Sequence, residues 1–457
     1  MIRVIATVRS KYQVIEILVE HNTTRSKAYY EAINPRVPGG IHSNIRYMHP
    51  YPLWFSRAKG GRIWDVDGNE YIDCVINMSA LILGHGDEQV TRAVRDQIDT
   101  GLTCGVETEL SIKVAEQVGQ MVPCAESVKF SNSGTEAVMK ALMIARAYSG
   151  KQKILKLEGG YNGWQDAVAV SSKPDLKKAG PKKSPISVPE NSGLFMPAVD
   201  ATMVMPFNDL DTAEAMIKKH KKELAAVIIE PIMFNLGCVR PKEGYLEGLK
   251  EITTRHNVLL IFDEVISGFR VAPGGAQEYY GVVPDLATFA KAIANGFPMS
   301  AVAGRADVME VTGPEGKAGW AGVYNGSQVS LAASHATLEI LAKGEVQRTL
   351  NAECEELERI FPKLARDTGI RAQLAGLGGQ FQVYFTDEEI IDYRSACKAD
   401  PARFRVFQEQ MLREGIYTLP IPLFHHGFVA AHTREDIERA VSGMRAGLEK
   451  VRQGKSP

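Results

Sequence analysis

The chain is 457 residues long and carries 53 basic and 54 acidic residues, for a formal net charge of −1. That balance excludes a whole-chain electrostatic attraction to nucleic acid or to an anionic membrane. The length asks for a large core plus a smaller one, and 45 % hydrophobic with 23 % charged residues is ordinary for a globular protein.

The first twenty residues, MIRVIATVRSKYQVIEILVE, carry charges throughout and lack the apolar run and small-residue cleavage site of a secretory signal. No segment approaches the ~20 apolar residues of a membrane span. The six cysteines (Cys74, Cys104, Cys124, Cys238, Cys354, Cys397) are scattered without a C-x-x-C pair, which fits reduced, buried thiols and a cytoplasmic location.

A glycine-rich entry, Pro38-Gly39-Gly40 and then Lys59-Gly60-Gly61, leads into IWDVDGNEYID, where Asp67-Gly68 predicts a hairpin turn. From about Gln89 helical periods alternate with the apolar runs SVKF, KILKL, AAVIIE, VLLIF and AVAG. This alternation predicts an α/β fold with a mainly parallel sheet covered by helices. Ser171–Ala198 is long, irregular and rich in Lys, Pro and Ser, the length of a mobile lid over an active site. Its basic pairs, Lys177-Lys178 and Lys182-Lys183, read as solvated loop. After Gly344 a long helical pattern, then strand and helix segments, predict a smaller C-terminal α+β domain.

Three segments carry chemistry. In VLLIFDEVISGFRVAPGGAQEYYGVVPDLATFAK, Asp263 follows a fully apolar strand and emerges where open α/β sheets bind ligands. Lys291 lies in an apolar stretch that makes an unpaired charge costly. Alone, the first also fits a helix N-cap and the second a lysine snorkelling to the surface. Together they are the two groups that pyridoxal phosphate (PLP) requires: a lysine for the Schiff base and an aspartate that keeps the pyridine nitrogen protonated. In SVKFSNSGTEAVMKALMIAR, Ser133, Gly134 and Thr135 open an amphipathic helix, an anion site by backbone N–H groups and dipole. Ser133 and Glu136 also have capping-box spacing, and the order of a P-loop is absent. In LEGGYNGW, Tyr161 follows two glycines and is placed to stack on an aromatic ring.

Taken together, these motifs resemble fold-type I PLP enzymes of the class III aminotransferase family, most nearly the glutamate-1-semialdehyde 2,1-aminomutase branch. The resemblance runs from about Pro38 to His432. PGGIHSNIRYM is similar to a segment that puts the substrate-carboxylate arginine on Arg46. FSNSGTEAVMKALMIAR is similar to the phosphate-cup helix, EGGYNGW to the segment of the stacking tyrosine, and IIEPIMFNLG to one that puts Asn235, after the cofactor-site residue Glu230, near the cofactor's phenolic oxygen. DEVISGFR supplies Asp263 and FAKAIANGFPMSAVAGR supplies Lys291.

The sequence also departs from the family pattern. Asn162 stands where a histidine usually follows the tyrosine, and Val323 replaces a threonine that reaches a phosphate across a dimer interface, leaving Tyr324 or Asn325 to supply that contact. His425 occupies the position of an aminomutase glutamate.

The resemblance implies a large PLP-binding domain over 80–343. It implies a small domain over 344–457, with the N-terminal segment 1–79 packed against it, and a homodimer with active sites between subunits. It implies amino-group transfer between an amino acid and a keto acid through Lys291, with the 2,1-aminomutase reaction and a racemase or epimerase using His425 as alternatives. A PLP-binding regulatory protein would leave the Lys291/Asp263 pair without a task. The histidines at 425, 426 and 432 lack the cysteine or carboxylate partners of a zinc site.

Overall fold

The computed structural model describes residues 22–101 and 105–454; the N-terminal twenty residues and Cys104 lie outside them. Its centre is a seven-stranded sheet: β1 Ser127–Ser131, β2 Lys153–Leu157, β3 Thr202–Met205, β4 Leu224–Ile229, β5 Leu259–Glu264, β6 Leu286–Phe289 and β7 Ser300–Gly304. The spatial order is β1-β7-β6-β5-β4-β2-β3. β7 alone runs antiparallel to its neighbours, and the other pairs are parallel.

Five of these strands are the apolar runs named above. Among them β4 and β5, with near-continuous Val, Ile and Leu, are buried along their whole length, as strands covered on both faces are. In β5 alternate residues face opposite layers. Leu260 and Phe262 pack with Leu246, Leu249 and Ile217 of two helices on one side. Ile261 packs with Ala137, Leu142 and Ile144 of the helix Gly134–Ser149 on the other. β3 and β6 had no distinct signal in the sequence.

Two smaller sheets complete the chain. The predicted hairpin forms, with Arg62–Asp65 paired antiparallel to Glu70–Asp73 around Asp67-Gly68. Phe55–Lys59 extends it on one side, and Ile416–Tyr417 adds in parallel to Ile72 and Asp73 on the other. Gln373–Leu377, Gln380–Tyr384 and His426–Gly427 form the third sheet, covered by the helices Glu345–Thr368, Pro401–Arg413 and Arg434–Gln453.

Two segments break from expectation. Residues 171–198 are not a free lid. Ser171 N–H donates to the Val188 carbonyl at 2.8 Å, Tyr393 Oη donates to the Pro174 carbonyl at 2.7 Å, and Lys182 pairs with Asp392 at 2.6 Å. Beneath them the buried Glu158 takes a bidentate bond from Arg394, 2.8 and 2.9 Å. The segment is stapled to the C-terminal region because its lysines have fixed acceptors there. Second, Ile76, Asn77, Met78 and Ser79 all adopt positive φ, 45°, 51°, 55° and 67°, a full turn of left-handed backbone containing no glycine. Such residues cost roughly 1–2 kcal/mol each, so tertiary bonds must hold them. Asp73 Oδ1 caps the turn by accepting from Val75 N–H and Ile76 N–H, both at 2.9 Å.

Candidate active site

β1, β2, β4, β5 and β6 point the same way, because β7 reverses direction between β1 and β6. Their C-terminal ends therefore share one edge of the sheet. Ser133 follows β1, Tyr161 follows β2, Glu230 follows β4, Asp263 is the last residue but one of β5 and Lys291 follows β6. Those residues converge on a cavity of about 210 Å³. Nine of the residues singled out in the sequence line it: Ser133, Gly134, Thr135, Tyr161, Asn162, Glu230, Asn235, Asp263 and Lys291.

The floor is Asp263. Its Oδ2 accepts from Asn162 Nδ2 at 2.8 Å, and its Oδ1 accepts from Thr288 Oγ1 at 3.0 Å and Val265 N–H at 3.2 Å. Burial raises its pKa, while Asn162, Val265, Thr288 and the Lys291 charge oppose the rise. The parallel register places Asp263 directly opposite Thr288 on β6. Asn162, at the position usually held by histidine, thus supports the aspartate through its amide.

Lys291 sits at φ 53° on a short turn just past β6. Burial draws its amine down to about 8, with Arg270 adding to the effect and Glu230 and Asp263 opposing it. Glu230 is pushed up to about 7 by burial and then by the Asp263 charge. It accepts from Tyr161 N–H at 3.0 Å and from Asn235 Nδ2 at 2.9 Å.

The remaining wall is the start of the helix Gly134–Ser149. Ser133 is its N-cap in a reciprocal capping box with Glu136. A Cβ on Gly134 would lie 2.9 Å from Val265, so only glycine keeps this end open. Thr135 Oγ1 accepts from Trp164 N–H at 3.2 Å.

These features fit PLP. A helix N-terminus suits the phosphate, a buried carboxylate suits the ring nitrogen, and a lysine with a lowered pKa suits the aldehyde. The buried Asn162 Oδ1, without a partner in the protein, leaves an acceptor at the same place.

Two expected residues do not line the cavity. Arg46 ends an exposed turn, Asn44–Arg46. His425 is buried and stacked on Phe424, ring centroids 4.3 Å apart, with Nδ1 bound to the Phe234 carbonyl at 2.9 Å. A carbonyl only accepts, so Nδ1 carries the proton and Nε2, which has no partner, is the free acceptor. Burial, followed by the Lys291 charge, holds this imidazole neutral. The other two histidines serve the backbone, His426 Nε2 accepting from Leu419 N–H and His432 Nδ1 from Val429 N–H. Val323 and Tyr324 are exposed, and Asn325 Oδ1 accepts from Asn132 Nδ2 at 3.3 Å.

The sequence reading passed over Thr288, Val265 and Ser267, although each is one register step or one turn from Asp263.

The class III aminotransferase family model matches residues 44–421. The glutamate-1-semialdehyde 2,1-aminomutase of Thermodesulfovibrio yellowstonii is 39 % identical over 423 residues, 92 % of this chain and 97 % of that protein. An omega-transaminase from Sphaerobacter thermophilus has a similar structure, with TM-score 0.89 and 34 % identity over 93 % of this chain and 98 % of that one. A transaminase solved with PLP bound has TM-score 0.86 and 29 % identity over 94 % and 99 %. With its strand order, convergent cavity and donor set, this chain belongs to the class III aminotransferase family and its cofactor is pyridoxal phosphate.

Proposed function

We propose that the protein moves an amino group between an amino acid and a keto acid, with Lys291 as the residue that binds PLP and afterwards carries the proton. PLP, when bound, supplies an aldehyde for the amine and a ring that accepts the electron pair of the bond broken at the substrate carbon. Lys291, drawn by burial to about 8, is partly neutral near that pH and would serve as the general base that takes and returns the proton at the substrate carbon. Asp263, its carboxyl held by three donors, would keep a proton on the ring nitrogen. The amides and hydroxyls of Ser133, Gly134 and Thr135 would hold the phosphate, Asn235, itself held by Glu230, would meet the phenolic oxygen, and Tyr161 would cover the ring. Arg46, by the resemblance, would bind the substrate carboxylate. The convergence of Asp263 and Lys291 on one cavity at the strand ends supports PLP chemistry and is common to transfer and isomerisation; what favours transfer is the buried, neutral His425.

A 2,1-aminomutase reaction is the second reading, and the names of relatives 37–40 % identical to this chain favour it. Against it stands His425, a neutral imidazole at the position of the branch's glutamate. A homodimer fits the exposed Trp164, Val323 and Tyr324 beside the phosphate end. The division into 1–79, 80–343 and 344–457 is supported by the pairing of Ile416–Tyr417 with Ile72 and Asp73.

One experiment separates the readings. PLP-loaded protein is mixed with single amino acids and no acceptor. Release of about one equivalent of keto acid per subunit establishes transfer and names the donor. An isomerised amino acid without keto acid establishes the mutase, and an absence of product from the whole panel refutes both.

A further inference from the structure

Lys156 is the last residue but one of β2, set between Leu155 and Leu157 and registered beside Val204 on β3 and Ile228 on β4. It is fully buried. An apolar side chain would suit such a strand, and a buried amine is costly there unless its N–H groups are used. Two of them are: Nζ donates to the Gly160 carbonyl and to the Val170 carbonyl, both at 2.6 Å. Neither carbonyl has another donor among the described residues. Two N–H groups suffice for this, and the amine carries them whether protonated or neutral.

The first carbonyl leads to the cavity. Gly160 C=O and Tyr161 N–H belong to one peptide group and point to opposite sides of it. On the far side Tyr161 N–H donates to Glu230 Oε1 at 3.0 Å. Glu230 is itself anchored, its Oε2 accepting from Asn235 Nδ2 at 2.9 Å and from Asn235 N–H at 3.2 Å. The peptide ahead of Tyr161 is therefore clamped, with Lys156 at one edge and Glu230 at the other. Little else fixes it. The bond to Glu230 is the one hydrogen bond Tyr161 makes among the described residues. The two residues before it are glycines, Gly159 at φ 83°, whose backbone has little stiffness of its own. The second carbonyl ties the clamp to the segment 171–198: Val170 precedes Ser171, whose carbonyl accepts from Gly159 N–H at 2.8 Å.

We infer that Lys156 is a positioning residue for the cofactor site: by clamping the Gly160–Tyr161 peptide against Glu230, it sets the Tyr161 ring over the place of the PLP ring. The inference rests on the reading of Tyr161 as the cover of that ring. A lysine that only completed the sheet would act equally with or without the tyrosine, which makes the two roles separable.

The test is a double-mutant cycle on the full chain stripped of cofactor. Its readouts are PLP affinity by equilibrium titration and the visible circular dichroism of the bound form. Lys156→Met keeps the length of the side chain and removes both bonds; Tyr161→Ala removes the ring. Each single variant should weaken PLP binding roughly threefold to tenfold, the worth of one aromatic contact, and change the dichroism in the same sense. With Tyr161 already alanine, Lys156→Met should cost less than about twofold more. An undiminished loss in that background, or a dichroism band that Lys156→Met leaves as in wild type, overturns the inference. Lys156→Gln, whose amide is too short to span both carbonyls, repeats the cycle where the methionine variant does not fold. Failure of both variants to fold also overturns it, since the lysine then serves the sheet alone. Tyr161→Ala separates the two levels. Wild-type affinity and dichroism in that variant sink the reading of Tyr161, whereas a Tyr161-dependent band untouched by Lys156→Met sinks only the role of Lys156.

Discussion

Replacing Thr288 with valine tests whether Asp263 works as a buried carboxylate tuned by its neighbours. The two side chains are nearly isosteric, and Thr288 is fully buried on β6, so the change removes one hydroxyl and little volume. The lost bond, 3.0 Å to Asp263 Oδ1, goes to a charged acceptor, and such bonds are worth about 1.5–3 kcal/mol. At 1.36 kcal/mol per unit this lifts the Asp263 pKa by roughly one to two units.

The sign for stability follows. Burial already raises this carboxyl above its unfolded value. Folding therefore favours its protonated form, and stability from this group falls as pH rises from the unfolded toward the folded pKa. Thr288→Val deepens that fall. The variant should match wild type below about pH 4 and be less stable by about 1.5–3 kcal/mol near neutrality. The acid limb of kcat/KM should move up by the same one to two units. Urea unfolding at pH 4 and pH 7.5, with a pH–rate profile, reads both. A variant with native circular dichroism, an unmoved acid limb and pH-independent destabilisation refutes the assignment of that hydroxyl to Asp263.

Lys291→Ala should lose covalent PLP binding and nearly all turnover, read by borohydride trapping followed by mass spectrometry; wild-type-like activity would end the proposed mechanism. Gly134→Ala should weaken PLP affinity about tenfold or more, because the new methyl meets Val265 at 2.9 Å and crowding of this kind costs about 1–3 kcal/mol; equilibrium titration of the stripped protein measures it. Arg46→Ala should raise KM for carboxylate substrates far more than for simple amines, and equal effects on both would remove Arg46 from its role. Arg394→Ala should lower stability by about 3–5 kcal/mol by leaving Glu158 buried and unpaired, and adding Glu158→Gln should recover part of that loss in the urea midpoint.

Local sequence carried the sheet and the cavity's main residues, because each announces itself within a few positions. Apolar β-branched runs mark strands buried on both faces, and Ser133 with Glu136 marks the helix start by capping chemistry. Asp263 marks a strand end. What was not legible depends on neighbours distant in the chain. Thr288 matters only because β6 lies beside β5 in a given register. Arg270 reads as an ordinary residue after a strand until its acceptors, the Ser79 and Leu81 carbonyls nearly two hundred positions earlier, are known. The left-handed turn opposes most of its own sequence, since in Ile-Asn-Met-Ser only Asn readily takes positive φ. The length and basic composition of 171–198 suggested freedom, whereas Asp392, Tyr393 and Arg394 supply fixed partners.

The parallel pairing of Ile416–Tyr417 with Ile72 and Asp73 sets a schedule for synthesis. The strands it joins are roughly 340 residues apart. At ~5–20 residues per second the early hairpin leaves the ribosome on the order of tens of seconds before its edge can be covered. During that interval the backbone of Ile72 and Asp73 is an open edge to which other nascent chains can add.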